Sequence, residues 1–182
     1  MFDEISDTGS IQVPGPLTKK AMEERSFVSR FLLMKPTLIM NAGLLVMIAI
    51  GILGEVLSWT RIGFSPYSHF IGGAVVVFGF VLHQYCHRVH KQAHEKSQQI
   101  KGIVTTGPFA KIRHPMYLSL IIMFLGLAVG WGILWMFAPA VLFSALTVFI
   151  AIKEEEFLLK MFGNQYEEYL CRVRWRMIPQ VF

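Results

Sequence analysis

"LSLIIMFLGLAVGWGILWMFAPAVLFSALTVFIAI", residues 118–152, is apolar from end to end and carries no charge. Thirty-five residues of α-helix are roughly 52 Å long, against a hydrocarbon core of roughly 30 Å. The run is too long for one crossing, and "GWG" at 130–132 offers a turn inside it. The stretch therefore predicts a tight hairpin of two short spans, the second bent by Pro139.

Outward from this hairpin, two further runs have the same character. "TLIMNAGLLVMIAIGILGEVLSW" (37–59) follows Lys35 and Pro36, and "HFIGGAVVVFGFVLHQY" (69–85) follows a short link. Four spans result, over about 36–59, 69–86, 115–130 and 133–152. The expected fold is an all-α integral membrane protein with a cytoplasmic, C-terminal cofactor-binding cap. The bulk numbers agree: 54% hydrophobic and 16% charged, against about 45–50% and about 25% for soluble domains. A net charge of +5 in so apolar a chain suits lipid headgroups and argues against nucleic acid.

Residues 1–30 mix charge, proline and glycine and read as a tail preceding one membrane domain, 31–182. Its acidic start, "MFDEISDTGS", is not a signal peptide; "KKAMEERSFVSRF" (19–31) has the character of an interfacial helix or a featureless continuation of the tail. Loop charge sets the orientation. Arg88, Lys91, Lys96, Lys101, Lys111 and Arg113 fall in the middle loop, and Lys160, Arg172, Arg174 and Arg176 in the C-terminal tail, whereas the opposite loops hold Arg61 alone. Both termini and the middle loop are expected in the cytoplasm. Glu55, beside Trp59, reads as an interfacial carboxylate. Cys86 and Cys171 lack metal or disulfide spacing.

Directly before the hairpin stands "TTGPFAKIRHPMY" (105–117). Gly107 and Pro108 suit a turn, and Pro115 suits the first position of a helix, where its missing N–H costs nothing. Directly after it stands "KEEEFLLKMFGNQYEEYLCRVRWRMIP" (153–179). Glu154, Glu155 and Glu156 lie where a membrane exit ordinarily carries basic anchors. A hairpin brings its two ends together, so the positive end of the helix at His114–Tyr117 faces carboxylates. A ligand with a carboxylate and cationic groups fits between them. S-adenosylmethionine has that inventory, with an adenine for an apolar slot; a phosphate ligand would be repelled by the glutamates.

"GIVTTGPFAKIRHPMYLSL" and "EEEFLLKMFGNQYEEYLCRVRWRMIP" together resemble the isoprenylcysteine carboxyl methyltransferase and phospholipid methyltransferase superfamily, in its small prokaryotic form, over residues 101–179. The family pattern carries Arg-His-Pro-x-Tyr, a span pair, Glu-Glu, Phe-Gly-x-x-Tyr-x-x-Tyr and a terminal basic-x-x-Pro. The resemblance implies an S-adenosylmethionine-dependent methyltransferase acting on a lipophilic acceptor, a prenylated cysteine carboxylate or a phospholipid. It assigns Lys101, Gly102, Ile103, Val104 and Phe109 to the adenosine pocket. His114, Pro115, Met116, Tyr117 and Glu154 become cofactor contacts, and Gly163, Tyr166 and Tyr169 parts of the closing cap. Glu155, His114 and Arg113 form the catalytic set, although no residue stands out as a base, which favours a carboxylate acceptor. The arginine that holds the acceptor carboxylate in eukaryotic prenylcysteine enzymes is replaced by Ile150, with Lys153 three residues on.

His83, His87, His90 and His94 fall along one helical face. A polar interfacial stripe, a pocket lining and a transition-metal site are the readings open; no cysteine or carboxylate pair completes a metal site. The C-terminal "CRVRWRMIP" alternates basic and apolar residues, as a headgroup-binding strip or a short pairing segment does. A nicotinamide-dependent enzyme of sterol-reductase type, or an adaptor without catalysis, are the rival functions.

Overall fold

The computed structural model describes residues 36–63, 66–90 and 102–181. The N-terminal tail, the basic residues at 91–101 with His94 and Lys101, and the interfacial segment before Phe31 lie outside the described residues. Among the described residues five α-helices follow in order: α1 (Pro36–Val56), α2 (Tyr67–Val89), α3 (Pro115–Trp131), α4 (Phe137–Phe162) and α5 (Asn164–Arg172). Among the described residues there is no β-strand, only an isolated bridge between Arg61 and Ile133.

Each boundary has a local cause. Helix α1 ends at Ser58, which takes the left-handed conformation (φ 53°). The Trp59 N–H then reaches Gly54 O at 2.9 Å and the Ser58 N–H reaches Glu55 O at 3.2 Å, so two orphan carbonyls are satisfied. Helix α3 begins with Pro115 at its first position and ends on Gly132 (φ 67°), whose N–H bonds to Ala128 O and Val129 O. The expected turn at 130–132 is thus built on a glycine in the left-handed region. A single 3-10 turn, Leu134–Met136, precedes α4. This delay moves Pro139 into the first turn of α4, where no N–H donor is required. The expected bend at Pro139 has no cause there, because a proline distorts a helix only from its interior.

Helices α2 and α3 make the most extensive contact of the fold. They approach backbone to backbone: a Cβ on Gly72 would stand 2.1 Å from the Gly130 nitrogen, and one on Gly126 would stand 2.9 Å from the Val76 nitrogen. Small residues allow such closeness between helices that lack a hydrophobic driving force toward each other. The His69 Nδ1–H adds a hydrogen bond to Gly130 O at 2.7 Å. At the same end the two interhelical links pair, Ile62 N–H with Gly132 O at 2.8 Å and Leu134 N–H with Thr60 O at 3.0 Å. Glu55 forms an ion pair with Arg61 there.

Two apolar clusters result. One, with Phe124, Met47, Ile133, Met136 and Ile150, runs through the helices and includes Met177 from the C-terminal segment. The other joins Ile103 to Phe157, Met161, Phe162, Tyr166, Tyr169 and Val173, and so fastens α5 over the end of α4. Outside these clusters, Phe70, Val77, Phe78, Phe80 and Val81 of α2 and Leu45, Ile52 and Val56 of α1 are exposed. Helix α2 and the stretch 134–162 are both long and apolar enough to cross a membrane, and large exposed apolar patches of this kind suit lipid rather than water.

Candidate active site

Helix α4 has 26 residues, about 39 Å at 1.5 Å per residue. It continues past Ile152, where the apolar run stops, and carries Glu154, Glu155 and Glu156 without a break. The start of α3 lies beside it. The Gly107–Ala110 3-10 turn, with Gly107 at φ 60°, leads the chain to Arg113 and His114, the residue that caps α3.

The C-terminal segment closes the third side. Arg113 N–H donates to Trp175 O at 2.9 Å, and His114 N–H to Arg176 O at 2.8 Å. Of the two roles open to "CRVRWRMIP", pairing is therefore realised in the main chain.

His114 is buried, and its ring stacks on Tyr117 at 5.3 Å with an 11° tilt. Its Nε2 lies 3.0 Å from Glu155 Oε1, and its Nδ1 lies 3.9 Å from Glu154 Oε2. The imidazole is thus held between the two carboxylates. Glu154 also faces the Tyr117 hydroxyl. Arg176 reaches Glu155 Oε2 with both Nε (3.0 Å) and Nη2 (2.8 Å). Arg113 Nε stands 3.3 Å from the other oxygen of the same carboxylate.

Burial alone pushes the Glu155 carboxyl up. The hydrogen bonds from His114 and Arg176, with the charges of His114 and Arg113, overcome this and hold it at about 2. Such a carboxylate is ionised throughout the physiological range and is a weak proton acceptor. Two tyrosines of α5 feel the same group. Burial, then the negative charges of Glu155 and Glu154, drive Tyr166 well above the ordinary tyrosine value. Burial also raises Tyr169, against the opposing charge of Arg113. The Tyr169 hydroxyl stays a donor, bonded to Phe109 O at 2.8 Å.

The sequence-derived residues fall into two groups. Arg113, His114, Tyr117, Glu154 and Glu155 converge within direct contact of one another, with Pro115 opening the helix and Met116 half-buried beside it. Gly102, Ile103 and Phe109 are buried and Val104 is half-buried. They belong to the loop under α5, with the Phe109 ring 5.3 Å from that of His90. Lys101 lies outside the described residues. Gly163 (φ 53°, ψ −128°) makes the break between α4 and α5 in a conformation suited to glycine. Among the histidines, His83 Nδ1 meets Ser119 Oγ at 3.0 Å. The Ser119 hydroxyl itself donates to Met116 O. Among the described residues no group of three or more His, Cys, Asp or Glu stands close enough to hold a metal ion. Ile150 is buried in the helix core, while Lys153 is engaged by Glu156 at 2.8 Å.

Arg176 is the one site residue that sequence reasoning passed over. It opens Arg176-Met177-Ile178-Pro179, the basic-x-x-Pro close of the family pattern, which was the available signal.

The chain is 32% identical over 84 residues to the Delta(14)-sterol reductase TM7SF2 of Mus musculus, covering 45% of this chain and 20% of the reductase. It therefore spans one fifth of that relative's length. The family model described as phospholipid methyltransferase matches residues 67–165. That stretch is more than half of the 182 residues and holds α2, α3, α4 and the His114–Glu154–Glu155 constellation, so the chain belongs to the phospholipid methyltransferase family.

Proposed function

We propose that this protein transfers a methyl group from S-adenosylmethionine to a lipophilic acceptor that reaches the site from the bilayer. The observation that carries the reading is the seating of His114 between Glu154 and Glu155, at the start of one apolar helix and the exit of the next. In this reading α1 to α4 all cross the membrane. Arg88, Lys111, Lys160, Arg172 and Arg174 lie at the site end, against Arg61 at the other, so the site and both termini face the cytoplasm.

The residues present fit the cofactor's chemistry. Glu154 is an acceptor with several lone pairs, as an ammonium or a pair of ribose hydroxyls requires. Gly102, Ile103, Val104 and Phe109 offer backbone groups and an apolar wall for a purine. When bound, the cofactor supplies an electrophilic methyl on a sulfonium. The chain's own contribution is to orient the acceptor, exclude water with the α5 cap and fix the surrounding charges.

Glu155, with its carboxyl held at about 2 by His114, Arg176 and Arg113, serves as a charge-positioning group rather than as a base. An acceptor that is already nucleophilic needs no base, which supports an isoprenylcysteine-like carboxylate. A phospholipid amine is the competing acceptor, and the family description speaks for it. The sterol reductase relative supports a second reading, a nicotinamide cofactor in the same pocket.

Calorimetric titration of the detergent-solubilised protein separates these. S-adenosylhomocysteine should bind, with affinity lost in Glu154→Ala and His114→Ala variants. Binding of a reduced nicotinamide nucleotide instead, or unchanged affinity in both variants, overturns the proposal. A labelled-methyl assay with prenylcysteine and with phosphatidylethanolamine then distinguishes the acceptors.

A further inference from the structure

We infer that Arg176 is a positioning residue that holds His114 in place twice, through the carboxylate of Glu155 and through its own backbone carbonyl. The inference rests on the cofactor reading for its consequence, and on geometry alone for its substance.

A carboxylate can rotate, so a single contact does not decide which oxygen faces which partner. The Arg176 fork closes on one oxygen with two nitrogens, Nε at 3.0 Å and Nη2 at 2.8 Å. Two bonds from a planar group pin that oxygen, and pinning one oxygen stops the carboxylate from turning about its Cγ–Cδ bond. Oε1 is then directed at His114 Nε2, 3.0 Å away. Because an ionised carboxylate only accepts, Nε2 must be the protonated nitrogen, and the Nδ1 edge is left facing Glu154. Arg176 therefore decides which nitrogen keeps its proton when the His114 ring is neutral, without touching the ring.

The second hold is covalently continuous with the first. The Arg176 carbonyl accepts the His114 N–H at 2.8 Å, while its neighbour Trp175 accepts the Arg113 N–H at 2.9 Å. The segment is itself fastened on both sides of Arg176, by Val173 in the cap cluster and Met177 in the helix core, each about 2% exposed.

Charge neutralisation alone does not account for Arg176. Arg113 already stands 3.3 Å from Glu155, and His114 adds a donor. What Arg113 lacks is the geometry: its Nε makes no hydrogen bond, and its Nη2 reaches Arg174 O at 3.3 Å. The groups facing Glu155 are thus Arg113 and His114 from the turn before α3, Arg176 from the C-terminal segment, Glu154 from α4 and the two tyrosines of α5. Of these, Arg176 alone offers a two-point grip. It also lies beyond residues 67–165, the stretch shared with the family model.

The test uses full-length protein in detergent, with Arg176→Lys and Arg176→Ala. Lysine keeps the charge and loses the fork. Nitrogen-15 NMR of labelled histidine reads the tautomer, with the His114 signal assigned by its disappearance in His114→Gln. In spectra recorded at alkaline pH, where imidazole is neutral, wild-type protein should show a single Nε2–H form, and Arg176→Lys a mixture of both tautomers. Affinity for S-adenosylhomocysteine should fall about tenfold, the worth of one charge-assisted hydrogen bond. An unchanged His114 signal together with affinity within about twofold of wild type in the lysine variant overturns the inference. If alanine prevents folding, the lysine variant decides. If wild-type protein does not bind the nucleoside at all, the cofactor reading falls, and the tautomer still decides the role of Arg176.

Discussion

Glu155 shows how a buried carboxylate becomes the hub of a charge cluster. Its two oxygens are shared among His114, Arg113 and Arg176. Removing the charge strands two arginines in a half-dry pocket, so Glu155→Gln should cost about 3 kcal/mol, read as a lower thermal midpoint in detergent. The pH dependence has a definite sign. The carboxyl lies at about 2 in the folded chain against an ordinary 4.5. Its stabilisation is therefore complete above pH 4.5 and is lost as pH falls toward 2. Melting curves across that window should fall steeply for wild type and more shallowly for Glu155→Gln; equal slopes contradict the assignment. His114, Glu154 and Glu155 were legible in sequence because polar residues at the two ends of one apolar hairpin have to meet. Arg176 was harder to read, since it is one of three alternating arginines, Arg172, Arg174 and Arg176, and the basic-x-x-Pro pattern that marks it does not say that chain reversal after α5 brings it to Glu155.

At the scale of elements, the α2–α3 contact is where the fold tolerates least. A methyl group on Gly72 would sit 2.1 Å from the Gly130 nitrogen, whereas Gly73, one residue on, has nothing within 4 Å. Gly72→Ala should force the helices apart and abolish folded, monodisperse protein in size-exclusion chromatography. Gly73→Ala should leave the elution profile unchanged, and should gain slightly from helix propensity. Equal behaviour of the two variants would show that the close approach is not needed. The sequence marked the hairpin well, because Gly132 supplies the left-handed residue that the turn requires. It did not reveal that a 3-10 turn at Leu134–Met136 delays α4, which makes Pro139 a helix-starting residue instead of a bend. Nor does hydropathy mark the end of α4, because the helix outlasts the apolar run by ten residues, Lys153 to Phe162. Those residues are helical because Phe157, Met161 and Phe162 pack beneath α5.

For the molecule as a whole, the proposed orientation has a reporter already in place. Cys171 is exposed on α5 at the site end, and Cys86 is buried; both are free thiols. A membrane-impermeant maleimide should label Cys171 in inside-out vesicles and spare it in right-side-out ones. Labelling from the outer face reverses the topology. Cys86 should remain unlabelled in both until the protein is denatured.

The unbroken course of α4 from Phe137 to Phe162 has one more consequence. Because a single rod carries both the apolar run and Glu154, the proposed function and orientation make the height of the site above the bilayer an arithmetic outcome of helix rise. Each residue counted along the rod lifts the carboxylates by about 1.5 Å and turns them by about 100°. In a chain oriented as proposed, the helix acts as a ruler. It admits acceptors by the level at which their reactive atom floats, and two lipids of the same chemistry but different depth would be told apart before either made a contact.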